Sequence, residues 1–136
     1  MLITDDYRKL NEKLHATNAA YGTSGNKWAK HVLDLSKVVG STDVLDYGCG
    51  KSTLAQNLPF SIKQYDPAVA KYAAAPNPAD IVICTDVLEH IEPECVKDVL
   101  MDICRLTKEL AFLCIAAGPA KKFLADGRNA HLIQEN

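Results

Sequence analysis

Asp46, Asp66, Asp86, Glu89, His90 and His131 are the side chains of this 136-residue chain whose types and spacing invite chemistry. Asp46 sits in an apolar run, Val44-Leu45-Asp46-Tyr47, that leads into Gly48-Cys49-Gly50. Glycine at both positions lets the backbone take conformations that other residues disfavour and come close to a ligand, so the turn reads as the floor of a small-molecule site. Asp66, in Gln64-Tyr65-Asp66-Pro67, follows Asp46 by 20 residues. That is the separation at which an acid ending a second strand accepts hydrogen bonds from ribose hydroxyls, although an Asp before Pro also suits a plain solvated turn. Glu89 and His90 lie three and four positions after Asp86 and share its face if a turn or helix begins there. Histidine titrates near neutrality, which makes His90 and His131 candidate bases for a hydroxyl or amine acceptor. A purely structural role for Glu89 and His90, as polar groups at a helix start, stands beside that reading.

Two phosphate-binding patterns fail on single residues. Gly50-Lys51-Ser52-Thr53 ends like a phosphate loop, but the first glycine of that motif would fall at Leu45. A dinucleotide fingerprint starting at Gly48 would need glycine where the chain has Thr53.

The elements that must position these residues follow from periodicity. Thr4 before Asp5 and Asp6 reads as a helix start, with Tyr7, Leu10, Leu14 and Tyr21 at helical spacing and Gly22 as the break. A second helix is expected from Ser24 to Val39, with an apolar stripe of Trp28, Val32, Leu35 and Val39 and a stop at Gly40. Strands are then expected over 44–47, 62–65, 81–84 and 110–117, with a short helix after Gly50. Pro93 suits the first turn of a longer helix carrying Val96, Val99, Leu100, Ile103 and Leu106 on one face. Apolar strands alternating with helices imply a parallel sheet covered on both faces, with ligands outside the carboxyl ends of the strands. Asp46, Asp66, Thr85, Asp86 and Gly118 all fall at such ends.

Composition narrows the class. The chain is 48% hydrophobic and 24% charged, ordinary values for one globular domain of this length. With 15 Lys and Arg against 17 Asp and Glu, it lacks the basic surface a duplex nucleic-acid binder needs, so duplex nucleic acid is an unlikely partner by composition. Five cysteines without a C-x-x-C pair suit core thiols of a reduced, cytoplasmic protein. No apolar run approaches the roughly 18 residues that span a bilayer, and no secretory leader is recognisable, so no membrane partner is expected.

The combination Leu45-Asp46-x-Gly48-x-Gly50, Asp66, and Asp86-Val87-Leu88-Glu89-His90 resembles class I S-adenosylmethionine-dependent methyltransferases over roughly positions 42–117. The resemblance implies a Rossmann-like doubly wound, mostly parallel α/β sheet: a helical lead-in over 1–40, a cofactor-binding core over 42–117 and an acceptor-side loop over 118–136. It implies that Asp46, Tyr47, Gly48 and Gly50 meet the methionine end of S-adenosylmethionine, that Asp66 holds the ribose and Pro67 flanks the adenine. Thr85 and Asp86 would sit near the sulfonium, and His90, Glu89 and His131 on the acceptor side.

Small-RNA 3′-end and ubiquinone-pathway O-methyltransferases of this class use an E-x-x-E-H arrangement with a divalent metal. That adds a metal site of Asp86, Glu89, His90 and His131 to the alternatives, with Asp86 standing where those enzymes have Glu. Only 13 residues separate Asp66 from Asp80, so the usual third strand is expected to be vestigial and the adenine pocket open. The C-terminal antiparallel hairpin of the class is also missing from these residues. The function expected is methyl transfer to oxygen or nitrogen of a small-molecule, sugar-like or nucleotide-like acceptor. Alternatives are a catalytically inactive S-adenosylmethionine-binding regulatory or partner module, or an enzyme that degrades S-adenosylmethionine. Thr85-Asp86-Val87-Leu88 replaces the N/D-P-P-Y segment of DNA-amine methyltransferases, and no Pro-Cys nucleophile of a C5-cytosine enzyme is present. The oligomeric state is not readable.

Overall fold

A computed structural model describes residues 1–135. The chain forms helix α1 (Asp5–Thr17), a 3-10 turn (Ser24–Trp28), α2 (Ala29–Val39), strand β1 (Val44–Tyr47), α3 (Thr53–Gln56) and β2 (Lys63–Tyr65). A 3-10 turn (Ala70–Tyr72), β3 (Ala79–Thr85), a third 3-10 turn (Leu88–His90), α4 (Val96–Leu106), β4 (Thr107–Cys114) and a last 3-10 turn (Leu132–Glu135) follow. The four strands make one parallel sheet in the order β2-β1-β3-β4. At this level the α/β architecture is Rossmann-like: the chain moves outward from β1 to β2, then crosses back to place β3 on the other side of β1. The crevice between the carboxyl ends of β1 and β3 is therefore the switch point where such sheets bind ligands.

Alternation along the strands builds two core layers. Val44, Ile81 and Ile83 face α2 and α3, packing with Val32 and Leu54. Leu45, Tyr47, Val82 and Cys84 face the opposite way, onto Val99, Ile103 and Leu106 of α4. Helix α1 joins neither layer. Its Tyr7 packs with Leu124 and Leu132 from the segment after β4, which places α1 across the carboxyl ends of the strands.

Several boundaries differ from the sequence reading for identifiable reasons. α1 stops at Thr17, and Tyr21 belongs to the loop beyond it. The expected helix from Ser24 becomes a 3-10 turn before α2, because the Gly25 backbone is pressed against α3: a Cβ there would lie 2.9 Å from the Leu54 nitrogen. Gly40 ends α2 as expected, with φ 75° and its N–H donated back to the Ser36 carbonyl at 2.8 Å. β4 starts and ends three residues earlier than expected, because Thr107 already pairs with Ala79 and the last pairing is Thr85 with Cys114.

Coverage on both faces holds for β1 and β3 but not for the edge strand β4, where Leu113 is exposed, as is Ile115 just beyond its end. Leu100, expected on the inner face of α4, is exposed together with Met101. Between β2 and β3 the regular element is the 3-10 turn Ala70–Tyr72. β4 is the last strand among the described residues. None of the helices is long and apolar enough to cross a membrane among those residues.

Candidate functional site

A cavity of about 520 Å³ opens at the switch point. That volume lies within the range of small-molecule and cofactor sites. Its floor is the turn after β1. Gly48 donates its N–H to the Tyr65 carbonyl at 2.7 Å, and Cys49 donates to the same oxygen at 3.0 Å, which ties the turn to the end of β2. Asp66 completes the floor: one carboxylate oxygen accepts the Gly50 N–H at 3.0 Å and the other accepts the Ala68 N–H at 2.9 Å.

The glycines are required, but for a different reason than a ligand's approach. Gly48 has φ +83°, and a Cβ on it would lie 2.4 Å from Cγ2 of Val87. Gly50 has φ +52°, and its Cβ would meet the Gly22 backbone at 2.7–2.8 Å. The missing side chains make room for two other pieces of this chain, both of which then become cavity walls. Lys51 explains why the phosphate-loop pattern is misleading: its N–H bonds the Gly22 carbonyl at 2.8 Å and its ammonium bonds the Asn18 carbonyl at 2.6 Å. Both donors hold the roof of the cavity in place.

Asp46 also borders the cavity and is 5% exposed. Burial, reinforced by the nearby Asp66 charge, pushes its carboxyl up from the usual 3.8 to about 7. Two carboxylates facing one hollow favour a cationic occupant, which lowers the energy of ionising Asp46. Tyr47, expected among the cofactor contacts, borders the cavity, yet its side chain belongs to the core: the ring packs against Tyr65 and the hydroxyl donates to Asp102 of α4 at 3.0 Å. Pro67 and Thr85 line the cavity.

Asp86 requires a correction. Its backbone is left-handed, with φ 56°, and its N–H bonds the Cys114 carbonyl at 2.9 Å. The carboxylate binds the Lys27 ammonium at 3.0 Å and the Trp28 indole at 3.2 Å. Burial works to raise its pKa, but the bonds to Lys27 and Trp28 win and hold it below the usual range. It therefore borders the cavity without joining the cluster of Glu89, His90 and His131.

Those three do come together, with one ligand atom from each within 4.8 Å of the others. The sharp turn at Asp86 and the 3-10 turn that follows deliver Glu89 and His90; the loop returning after β4 delivers His131. Nδ1 of His90 lies 2.6 Å from the Ala130 carbonyl, and Nδ1 of His131 lies 2.5 Å from the Gly118 carbonyl. A carbonyl only accepts, so each ring carries a proton on Nδ1, and a neutral ring so held keeps its lone pair on Nε2. Burial lowers the pKa of His90 and favours its neutral form. Glu89 is 1% exposed; its Oε1 accepts the Ala116 N–H at 3.1 Å, while its Oε2 is buried without a partner.

Such a carboxylate oxygen costs free energy unless a cation or donor meets it. Ligands of a transition ion sit about 2.0–2.2 Å from it and so about 4.4 Å apart at most; small side-chain shifts would bring this set to that spacing. Two imidazoles and a carboxylate suit manganese, iron or zinc better than magnesium.

The helical lead-in supplies walls that the sequence reading missed. Tyr7, Asn11 and His15, four residues apart on α1, all face the cavity. The Tyr7 hydroxyl bonds the His90 carbonyl, and the Tyr21 hydroxyl donates to Asn11 Oδ1 at 2.9 Å. The His15 ring sits edge-on to Tyr21 with centroids 4.7 Å apart, and its Nδ1 is buried without a partner. The signal was the four-residue spacing 7, 11, 15, which the adjacent Leu10 and Leu14 stripe obscured. α1 is anchored at its start by Glu92, which accepts the Thr4 N–H at 3.0 Å and the Thr4 hydroxyl at 2.7 Å.

Compared with protein-family models, curated proteins and solved structures, the chain matches none significantly.

Proposed function

We propose that this chain binds S-adenosylmethionine at the switch point and transfers its methyl group to oxygen or nitrogen of a small acceptor. The observation that carries this reading is the pair Asp46 and Asp66 around the Gly48–Gly50 turn: a buried hollow with two carboxylates, one pushed up to about 7, favours a cationic guest. Bound there, the cofactor would supply a methyl group on a cationic sulfur, open to displacement by an acceptor lone pair. The chain's own contribution is orientation and exclusion of water, the main requirements of a displacement between two bound partners. Asp66, already fixed by two backbone N–H groups, retains lone pairs for ribose hydroxyls. Pro67 and Ala68 border the side left open by the vestigial third strand, where the adenine would lie.

Calorimetry with S-adenosylmethionine and S-adenosylhomocysteine tests the reading. Both are expected to bind, with the sulfonium form favoured at pH 8 because it brings one more positive charge into the cavity floored by Asp46 and Asp66. Absence of heat for both would end it. Product analysis with and without cell extract then separates a transferase, which needs an acceptor, from an enzyme that breaks the cofactor down alone. Binding with no product in either case leaves a non-catalytic module.

The orphaned Oε2 of Glu89 favours a divalent metal held by Glu89, His90 and His131 over a bare His90 base. Such an ion would act as a Lewis acid toward the acceptor oxygen. Manganese at one hundred times its dissociation constant should stabilise the parent by about 2.7 kcal/mol, visible as a rise in melting temperature. Glu89→Gln and His90→Ala should each abolish that rise. If manganese shifts none of the three proteins, His90 Nε2 alone is left to take the acceptor's proton.

A further inference from the structure

We propose that the acceptor carries a small anionic group, phosphate or carboxylate, bound by Lys121 and Lys122 at the mouth of the cavity. The inference rests on the reading of the cavity as an acceptor site and names the class of molecule it takes.

Both lysines border the cavity. The backbone that carries them is fixed. Asn129 Oδ1 accepts the Ala120 and His131 N–H groups at 3.0 and 2.9 Å, and its Nδ2 donates to the Ala120 carbonyl at 3.0 Å. Ala130 donates its N–H to the Lys122 carbonyl at 3.0 Å, while the Ala130 carbonyl holds the His90 ring. The loop that sets His90 and His131 thus sets the lysines too. The Lys122 ammonium lies 5.4 Å from the centre of the Tyr21 ring, which is itself 6.1 Å from the His90 ring.

Charge completes the argument. Three acids of the surrounding elements already have partners, Asp126 in Arg128, Glu92 in Thr4 and Asp86 in Lys27, while Glu89 lies with the histidines deeper in the cavity. Among the described residues no ion pair involves Lys121 or Lys122. The cavity therefore has an acidic floor at Asp46 and Asp66 and a basic rim on the returning loop. An anion is repelled from the first and drawn to the second, which orients an acceptor with its charge outward and its remaining surface toward Glu89, His90 and His131.

The test titrates the full chain, free of metal, with sodium phosphate and separately with disodium succinate at low ionic strength. At least one should bind at millimolar concentration or tighter. Lys121→Gln/Lys122→Gln should weaken that binding by about tenfold or more, while Lys37→Gln/Lys97→Gln, whose lysines lie away from the cavity, should not. Phosphate-only binding assigns a phosphorylated acceptor, and succinate-only binding a carboxylated one. No binding of either anion by the parent, or equal losses in the two double variants, overturns the proposal. S-adenosylmethionine affinity, measured on the same proteins, should be equal in the parent and the Lys121/Lys122 variant; if the parent itself fails to bind the cofactor, the methyltransferase reading falls and the anion result still decides this one.

Discussion

Asp46→Asn is expected to stabilise the empty protein at pH 8 by about 2–4 kcal/mol and at the same time to abolish measurable S-adenosylmethionine binding. Burial and Asp66 raise the Asp46 carboxyl from 3.8 to about 7, and no hydrogen bond offsets them. Between those two values the folded protein binds a proton that the unfolded chain has released. Stability from this group is therefore fully present below about pH 4, falls as pH rises toward 7, and stays low above it. Asparagine removes the ionisation and with it the slope, so the gain should shrink to nearly nothing at pH 4. Urea unfolding of parent and variant at pH 4 and pH 8 measures both ends. Equal stability at pH 8 would show that the carboxylate is not penalised there, and the argument for a cationic guest would lose its physical basis. A carboxylate kept at a cost in the empty state is what a binding site built for a cation requires.

Gly48→Ala should destabilise the fold by about 2–5 kcal/mol, a large effect for one methyl group. About 1–2 kcal/mol comes from holding a non-glycine residue at φ +83°, and about 1–3 kcal/mol from driving a Cβ to within 2.4 Å of Val87. The two causes separate experimentally. Val87→Ala in the same chain should recover the crowding component and leave the backbone component untouched. Calorimetry below the unfolding transition should also show weakened cofactor binding in the single variant, since a displaced Val87 drags the Asp86–His90 turn with it. Parental stability for Gly48→Ala would mean that the turn relaxes freely and does not lock β1 to β3.

The alternation of apolar segments and turns was enough to place four strands and the helices between them. Asp46, Asp66 and Thr85 could be put at the carboxyl ends of those strands because a parallel sheet aligns all such ends on one edge. Errors arose where neighbouring chain overrides local preference. The 3-10 turn at Ser24–Trp28 follows from contact with Leu54, and the exposure of Leu113 follows from the edge position of β4. Spacing and the E-x-x-E-H resemblance group Asp86 with Glu89 and His90; its left-handed backbone and its bonds to Lys27 and Trp28 turn it elsewhere.

By itself the order of residues determined that glycines at 48 and 50 form a turn after the first strand, that acids stand 20 residues apart at two strand ends, and that a Glu-His pair follows the third strand. Those are local properties, set by backbone conformation and strand register. Only the tertiary structure decided what the glycines accommodate, that the Lys51 ammonium is spent on the Asn18 carbonyl, and that His90 and His131 both join Glu89. It also decided that α1, with Tyr7, Asn11 and His15, walls the cavity instead of merely preceding the sheet. The reason is distance along the chain: contacts between residues 7 and 90, 22 and 50, or 89 and 131 depend on how separate elements pack, and no local pattern encodes them.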